Sequence, residues 1–160
     1  MRETPPPRRG DRRLWAATVA LAVAIGLAIG VGSFTFVYAR GASYLTNDPA
    51  ACANCHVMRE HFSGWLGGSH RAVAVCNDCH APHDPLGKYA TKALNGFWHS
   101  FAFTTGRFPE PIRITERNRR ITEGACRDCH RPIVEAVDGA HGPDRRLGCL
   151  PCHGAVGHPR

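Results

Sequence analysis

The chain has 160 residues, a formal net charge of +7, 17 glycines, 12 prolines and eight cysteines. A chain of that length has room for one small domain plus an anchor. So many glycines and prolines also leave little material for a conventional aliphatic core, so the fold needs another kind of staple.

Residues 1–13 are proline-rich and basic, with Arg2, Arg8, Arg9, Arg12 and Arg13 set against Glu3 and Asp11. Leu14 to Ala39 follows, 26 residues without a charge, closed by Arg40. About 20 apolar residues cross a bilayer, so residues 14–39 predict a transmembrane helix with some tilt. The run is too long for the apolar core of a secretory signal, and Ala39-Arg40-Gly41-Ala42-Ser43 is a poor cleavage site, so an uncleaved anchor is expected. Five arginines before it and one directly after predict a single pass with the N-terminus in the cytoplasm. Everything beyond Arg40 is then placed on the periplasmic side of a bacterial inner membrane. Trp15 and Tyr38 suit the two interfaces. Ala22, Gly26 and Gly30 either form a helix-packing face or are the small residues common in any such helix.

Residues 40–160 carry the chemistry. Cys-x-x-Cys-His occurs four times, at Cys52–Cys55–His56, Cys76–Cys79–His80, Cys126–Cys129–His130 and Cys149–Cys152–His153, and uses every cysteine. In this pattern the two thiols form thioethers to haem vinyl groups and the histidine faces the iron. Two zinc sites of four thiolates, or four disulfides, would use the same cysteines. Neither explains a histidine after every pair, because a four-thiolate zinc already has its ligands. Four covalent haem c groups are therefore expected, with the macrocycles serving as the core. Their propionates are anionic and would roughly cancel the excess basic charge, so nucleic acid is not the expected partner.

The first cysteines stand at 52, 76, 126 and 149, giving gaps of 24, 50 and 23. Similar gaps around a long insert suggest two two-haem modules, about 48–105 and 112–160. Asp48-Pro49 reads as an N-cap and first turn, and Ser69 as a cap for a helix through the second motif. Leu86 to Thr104 predicts the longest extramembrane helix and Thr115 to Cys129 another, with Gly106 to Pro111 as loop. The fold class is mainly α with extensive loops and almost no strand: one transmembrane helix plus a small tetrahaem cytochrome c domain.

Each low-spin haem needs a second axial ligand. The candidates outside the motifs are His61, His70, His83, His99, His141 and His158. A distal ligand cannot easily come from beside its own motif, which lies on the near face. His158 and His70 are therefore expected to reach neighbouring irons, with His141 as a competing distal ligand. His61, His83 and His99 read more simply as surface or hydrogen-bonding residues. Met58, two residues after His56, competes with it for the first iron. Lys88, Lys92, Asn95 and His99 fall on one helical face, which spacing alone reads as a solvated basic face. A lysine binds iron only as the free amine, which requires burial.

The segments Cys52-Ala-Asn-Cys-His-Val-Met58, Gly68-Ser-His70, Cys76-Asn-Asp-Cys-His-Ala-Pro-His-Asp84, Lys92-Ala-Leu-Asn-Gly96, Pro111-Ile-Arg-Ile-Thr-Glu-Arg-Asn-Arg-Arg120 and Cys152-His-Gly-Ala-Val-Gly-His158 carry a resemblance. Together they resemble the NapC/NirT family of membrane-anchored quinol dehydrogenases, from the anchor to the C-terminus. The short length matches the branch that forms the small subunit of cytochrome c nitrite reductase. The resemblance implies that Met58, rather than His56, ligates the first haem and leaves its far face open. It implies His80 and Lys92 for the second haem. For the last two it implies His130 and His153, partnered by His158 and His70, with His141 as the alternative. One position departs from the family pattern: seven residues after Lys92 the family has an aspartate, and this chain has His99. A histidine there either takes up a proton as the acid would or ligates the iron.

The function implied is oxidation of menaquinol, with electrons passed to the multihaem catalytic subunit of a nitrite reductase, as in respiration of nitrite to ammonium. Lys92 and His99 are the candidates to contact the quinol oxygens and move protons. The first motif begins 12 residues after Arg40, which keeps its haem near the membrane surface. The alternatives are a quinol dehydrogenase serving another periplasmic reductase, and a passive tethered electron carrier.

Overall fold

The structure is a computed structural model that describes residues 9–141 and 148–158, with side chains described for 10–139 and 148–158. It divides into two units, Met1–Ala42 and Ser43–Arg160. No strand occurs among the described residues, so the helical fold class holds.

In the first unit, α1 spans Arg9–Tyr38. Its segment Gly10–Tyr38 has a mean hydropathy of 2.3 and is long and apolar enough to cross a membrane. Its apolar side chains, from Leu14 to Tyr38, are exposed along the whole length, as a lipid-facing helix requires. The helix stops where Arg40 takes a left-handed φ of 51°, a conformation that no L-residue propagates.

The second unit opens with a 3₁₀ turn, Gly41–Leu45, whose start lies in the first unit. It continues through α2 (Pro49–Cys52), a 3₁₀ turn His56–Met58, α3 (Arg59–Leu66), α4 (Cys76–His80) and α5 (Pro85–Thr105). The remaining helices are α6 (Glu116–Cys129), α7 (Arg131–His141) and α8 (Leu150–His153). Of the two caps expected from sequence, the one at Asp48 forms. Asp48 accepts the Ala50 N–H at 2.9 Å with Pro49 in the first turn of α2. Asp84 accepts from Gly87 at 2.7 Å to start α5, and Gly106, at φ 66°, ends it in the left-handed conformation that suits glycine. Thr115 caps α6.

Ser69 does not cap α4. Val75 precedes that helix, and the Asp78 carboxylate reaches back to the Val75 N–H at 2.9 Å. The Ser69 hydroxyl instead donates to the Val156 carbonyl, 3.4 Å away. A pull from a residue 87 positions later outweighs the local capping preference.

The unit builds almost no core from its own side chains. Among the described residues the only buried apolar ones are Ala81 and Ala125, joined by Thr91, Lys92 and Thr122. Large apolar residues such as Leu86, Phe97 and Trp98 stand more than half exposed, at 83%, 62% and 55%. At roughly 25 cal/mol per Å² of buried apolar surface, two alanines cannot offset the ordering of a chain this long.

Candidate functional site

Each Cys-x-x-Cys pair lies on or beside a helical turn, which brings thiols three residues apart to one side. Cys52 ends α2, α4 runs from Cys76 through His80, Cys126 and Cys129 close α6, and Cys149 caps α8. The pairs follow one another in space in chain order. The thiols of Cys52 and Cys76 hydrogen-bond to each other, which holds Cys52 down to about 7 and pushes Cys76 up. Cys79 feels the charge of Cys129, Cys126 that of Cys79, and Cys149 that of Cys126. In the last three, burial is the larger influence and raises each thiol. Helix α4 packs on α6, joining the second pair to the third. Glu123 on α6 accepts the backbone N–H groups of Cys149 and Leu150 at 2.7 and 3.0 Å, tying down the fourth.

None of the eight cysteines forms a disulfide, and among the described residues no cluster of three or more histidine, cysteine or acidic side chains is arranged to hold a metal ion. Paired thiols beside a histidine, around a unit with almost no apolar core, do fit covalent haem.

At the first pair, His56 and Met58 share one 3₁₀ turn. Successive side chains in such a turn diverge by about 120°, so positions two apart cannot both face one iron. His56 is exposed and Met58 half-buried. Asn54, inside the motif, donates to Ser43 Oγ at 2.6 Å. Next to it, Tyr44 Oη lies 3.3 Å from His99 Nδ1. Burial, with Cys55 and Cys52 nearby, pushes the Tyr44 phenol up to about 12, so it stays protonated. His99 keeps an exposed edge. Burial lowers its pKa from the ordinary 6.5, and Arg117 adds to the effect.

Lys92 departs from the solvated reading of its helix face. It is 7% exposed, and its Nζ donates to Thr46 O at 2.8 Å and Asn47 Oδ1 at 3.0 Å. Burial lowers its pKa, with Lys88 contributing. The Asn77 side-chain amide, inside the second motif, donates to the same two acceptors at 3.1 and 3.3 Å.

Two of the histidines outside the motifs lie close to motif histidines. The His70 ring centre is 6.0 Å from that of His130, and its Nδ1 lies 3.3 Å from Val156 O. His70 therefore stands between the third and fourth motifs. His158 stands 6.1 Å from His80, with rings nearly parallel at 9°, and 4.7 Å from His61. Desolvation by its crowded surroundings, with His158, His61 and His99 adding to it, lowers His80 to about 4, although the residue keeps exposed surface. That favours the neutral imidazole a metal ligand needs. His61 is lowered by burial and by His158. His83 engages Asp78 O at 3.0 Å and sits 3.8 Å from Asp128, a structural role. His153 is exposed on α8, and the His141 side chain lies outside the described residues.

Sequence reasoning passed over Tyr44, Thr46, Asn47, Asn77 and Glu123. No spacing rule marks a carbonyl or an amide as a partner. The one signal was the Asp48-Pro49 cap, which turns the chain just after the segment that meets α5.

These features define a c-type cytochrome carried on a helix able to span a membrane. The chain belongs to the NapC/NirT cytochrome c family, whose N-terminal-region model matches residues 14–160, and it carries covalently bound haem c. It is 35% identical to the cytochrome c-type protein NrfH of Wolinella succinogenes over 91% of this chain and 85% of that relative. It is 30% identical to the cytochrome c nitrite reductase subunit NrfH of Nitratidesulfovibrio vulgaris, over 84% and 81%. Its fold resembles a chain of the cytochrome c nitrite reductase NrfHA complex solved with the HQNO inhibitor, at 27% identity and a TM-score of 0.61. That likeness covers 84% of this chain and 88% of the other.

Proposed function

We propose that this protein is the membrane-anchored, four-haem quinol dehydrogenase subunit of a nitrite reductase, oxidising menaquinol and delivering electrons to a periplasmic multihaem catalytic subunit. The observation that carries this is the likeness to NrfH over most of both chains, read with the pairing of Tyr44 and His99 beside the first motif. In this reading the N-terminus is cytoplasmic, residues 14–39 cross the membrane and 40–160 are periplasmic.

Oxidising a quinol releases two electrons and two protons. Bound haem supplies the one-electron acceptor, and this chain's residues must bind the quinol and take its protons. In the tautomer whose Nδ1 proton faces Tyr44 Oη, His99 Nε2 has a free lone pair for a quinol hydroxyl proton. The lowered pKa keeps that ring neutral at neutral pH, and the high Tyr44 pKa stops the phenol from competing. His99 thus takes the role of the family's aspartate as a base rather than a ligand. Met58 would hold the iron of the first haem, and His80 with Lys92 that of the second. An amine that holds a metal has no lone pair to spare, so proton uptake falls to His99. His130, His153, His70 and His158, with His141 as the alternative, would hold the last two.

The test is reduction of the purified four-haem protein by a menaquinol analogue, its block by HQNO, and co-purification of a nitrite reductase catalytic subunit in mild detergent. A protein that the analogue fails to reduce is a passive carrier. A different reductase in the purified complex moves the proposal to another periplasmic pathway.

A further inference from the structure

Lys92 is among the few buried residues of the haem-bearing unit, and its amine meets two acceptors on one short segment, Thr46 O and Asn47 Oδ1. A neutral primary amine that ligates a metal keeps two N–H bonds and gives its lone pair to the metal. Two oxygen acceptors match the two N–H bonds that a ligating lysine keeps, and the Tyr89 ring centre lies 5.7 Å from the same nitrogen. The two acceptors also receive the Asn77 side-chain N–H, and Asn77 lies between the cysteines of the second motif. The lysine amine is thus tied, through Thr46 and Asn47, to the segment that attaches the second haem. Thr46 contributes its backbone carbonyl, so Asn47 is the one side chain that both accepts from the amine and can be substituted.

We infer that Asn47 is a positioning residue which, with the Thr46 carbonyl, orients the Lys92 amine as the distal ligand of the second haem. This rests on the reading that Lys92 ligates that iron. Asn47 does not touch the iron or the quinol; it fixes where the amine's two hydrogens point. A lysine on a flexible four-carbon stem otherwise samples many rotamers, and orienting contacts of this kind typically govern a ligand's occupancy by about 10–100-fold.

The test uses the full-length protein in detergent, with four haems verified by intact mass. Low-temperature EPR and near-infrared magnetic circular dichroism distinguish a histidine–lysine haem from bis-histidine and methionine-ligated ones. Lys92→Leu is expected to remove the histidine–lysine signature and leave the other three haems unchanged. Asn47→Leu, or Asn47→Ala should the larger side chain prevent maturation, is expected to lose the same signature. Asn47→Asp, which restores an acceptor oxygen, is expected to retain it. A signature that survives Asn47→Leu and Asn47→Ala overturns the inference while leaving Lys92 as ligand. Loss in Asn47→Asp as well overturns it by showing that the acceptor oxygen is not what matters. If Lys92→Leu changes no haem, the ligand reading itself fails, and His158, 6.1 Å from His80, is the alternative distal ligand.

Discussion

The Tyr44 phenol and the His99 imidazole meet at 3.3 Å although 55 residues separate them in sequence. Tyr44 follows the apolar helix and precedes the first motif, while His99 lies late in α5. Three residues further on, the same segment holds Lys92 through Asn47, two helical turns earlier on α5. One face of α5 is thus met by Tyr44, Thr46 and Asn47 of one short segment, and the two candidate functional side chains on it are given different surroundings. Lys92 is buried against acceptors, whereas His99 keeps an open edge.

Replacing His99 separates a base from a bystander. His99→Leu should slow reduction of the haems by a menaquinol analogue by about 10²–10⁴-fold, the usual contribution of a positioned base. His99→Asp restores the family's residue and should retain most of the rate. Stopped-flow at the haem absorbance bands measures both, with haem content checked by mass. Unimpaired turnover in His99→Leu places quinol oxidation elsewhere.

Tyr44→Phe keeps the ring against Gly96 and removes only the hydroxyl that faces His99 Nδ1. A loss of about tenfold or somewhat more, typical of an orienting partner, is expected in the same assay. A rate equal to that of the parent would mean that His99 needs no partner to present Nε2.

The His99 environment also sets a pH profile. Burial first, and Arg117 second, lower its pKa below the ordinary 6.5, so the neutral, proton-accepting ring dominates at neutral pH. Quinol oxidation should rise with pH through that lowered value and level off above it. Arg117→Gln removes a repelling charge, raises the pKa and should move the acidic limb to higher pH. For stability the sign runs the same way: the folded ring binds protons less readily than the unfolded one. Its contribution is complete above about 6.5 and is lost as pH falls through the folded value.

Much of this was legible in the chain. The four motifs, the apolar helix and the cap at Asp48 are local patterns, and local patterns survive folding. The Ser69 cap failed because a long-range partner, Val156, competed for the hydroxyl. Lys92 read as solvated because helical spacing reports which face a residue shares and not what lies against it. Thr46 and Asn47 approach that face from more than 40 positions away. The crossing of His70 toward the third and fourth motifs followed from a steric argument about near and far faces. The choice among individual partners depends on packing that no spacing encodes.

The scarcity of buried apolar side chains makes attachment of haem a condition of folding. Expressed without c-type maturation, residues 43–160 should give a chain lacking near-UV circular dichroism and fixed side-chain NMR signals. The matured protein should carry the mass of four haems and resist proteolysis. A cooperative thermal transition in the haem-free chain would mean that the polypeptide holds a core of its own.

Glu123 offers a sharper test of how the last motif is held. Its carboxylate accepts two consecutive backbone N–H groups, at Cys149 and Leu150, and its side chain is only 13% exposed. Burial alone would raise its pKa; the two N–H groups, with Arg119, outweigh that and hold it below 4.5. Glu123→Ala leaves both donors without their acceptor, which should cost about 1–3 kcal/mol. Glu123→Gln keeps one acceptor oxygen and should cost less. Because the folded pKa is depressed, the parent's stability from this group is present above about 4.5 and lost as pH falls through the folded value. The melting temperatures of parent and Glu123→Gln should therefore converge on acidification. A difference that persists unchanged to pH about 2 would assign the effect to packing rather than to the charge that grips the turn of the fourth motif.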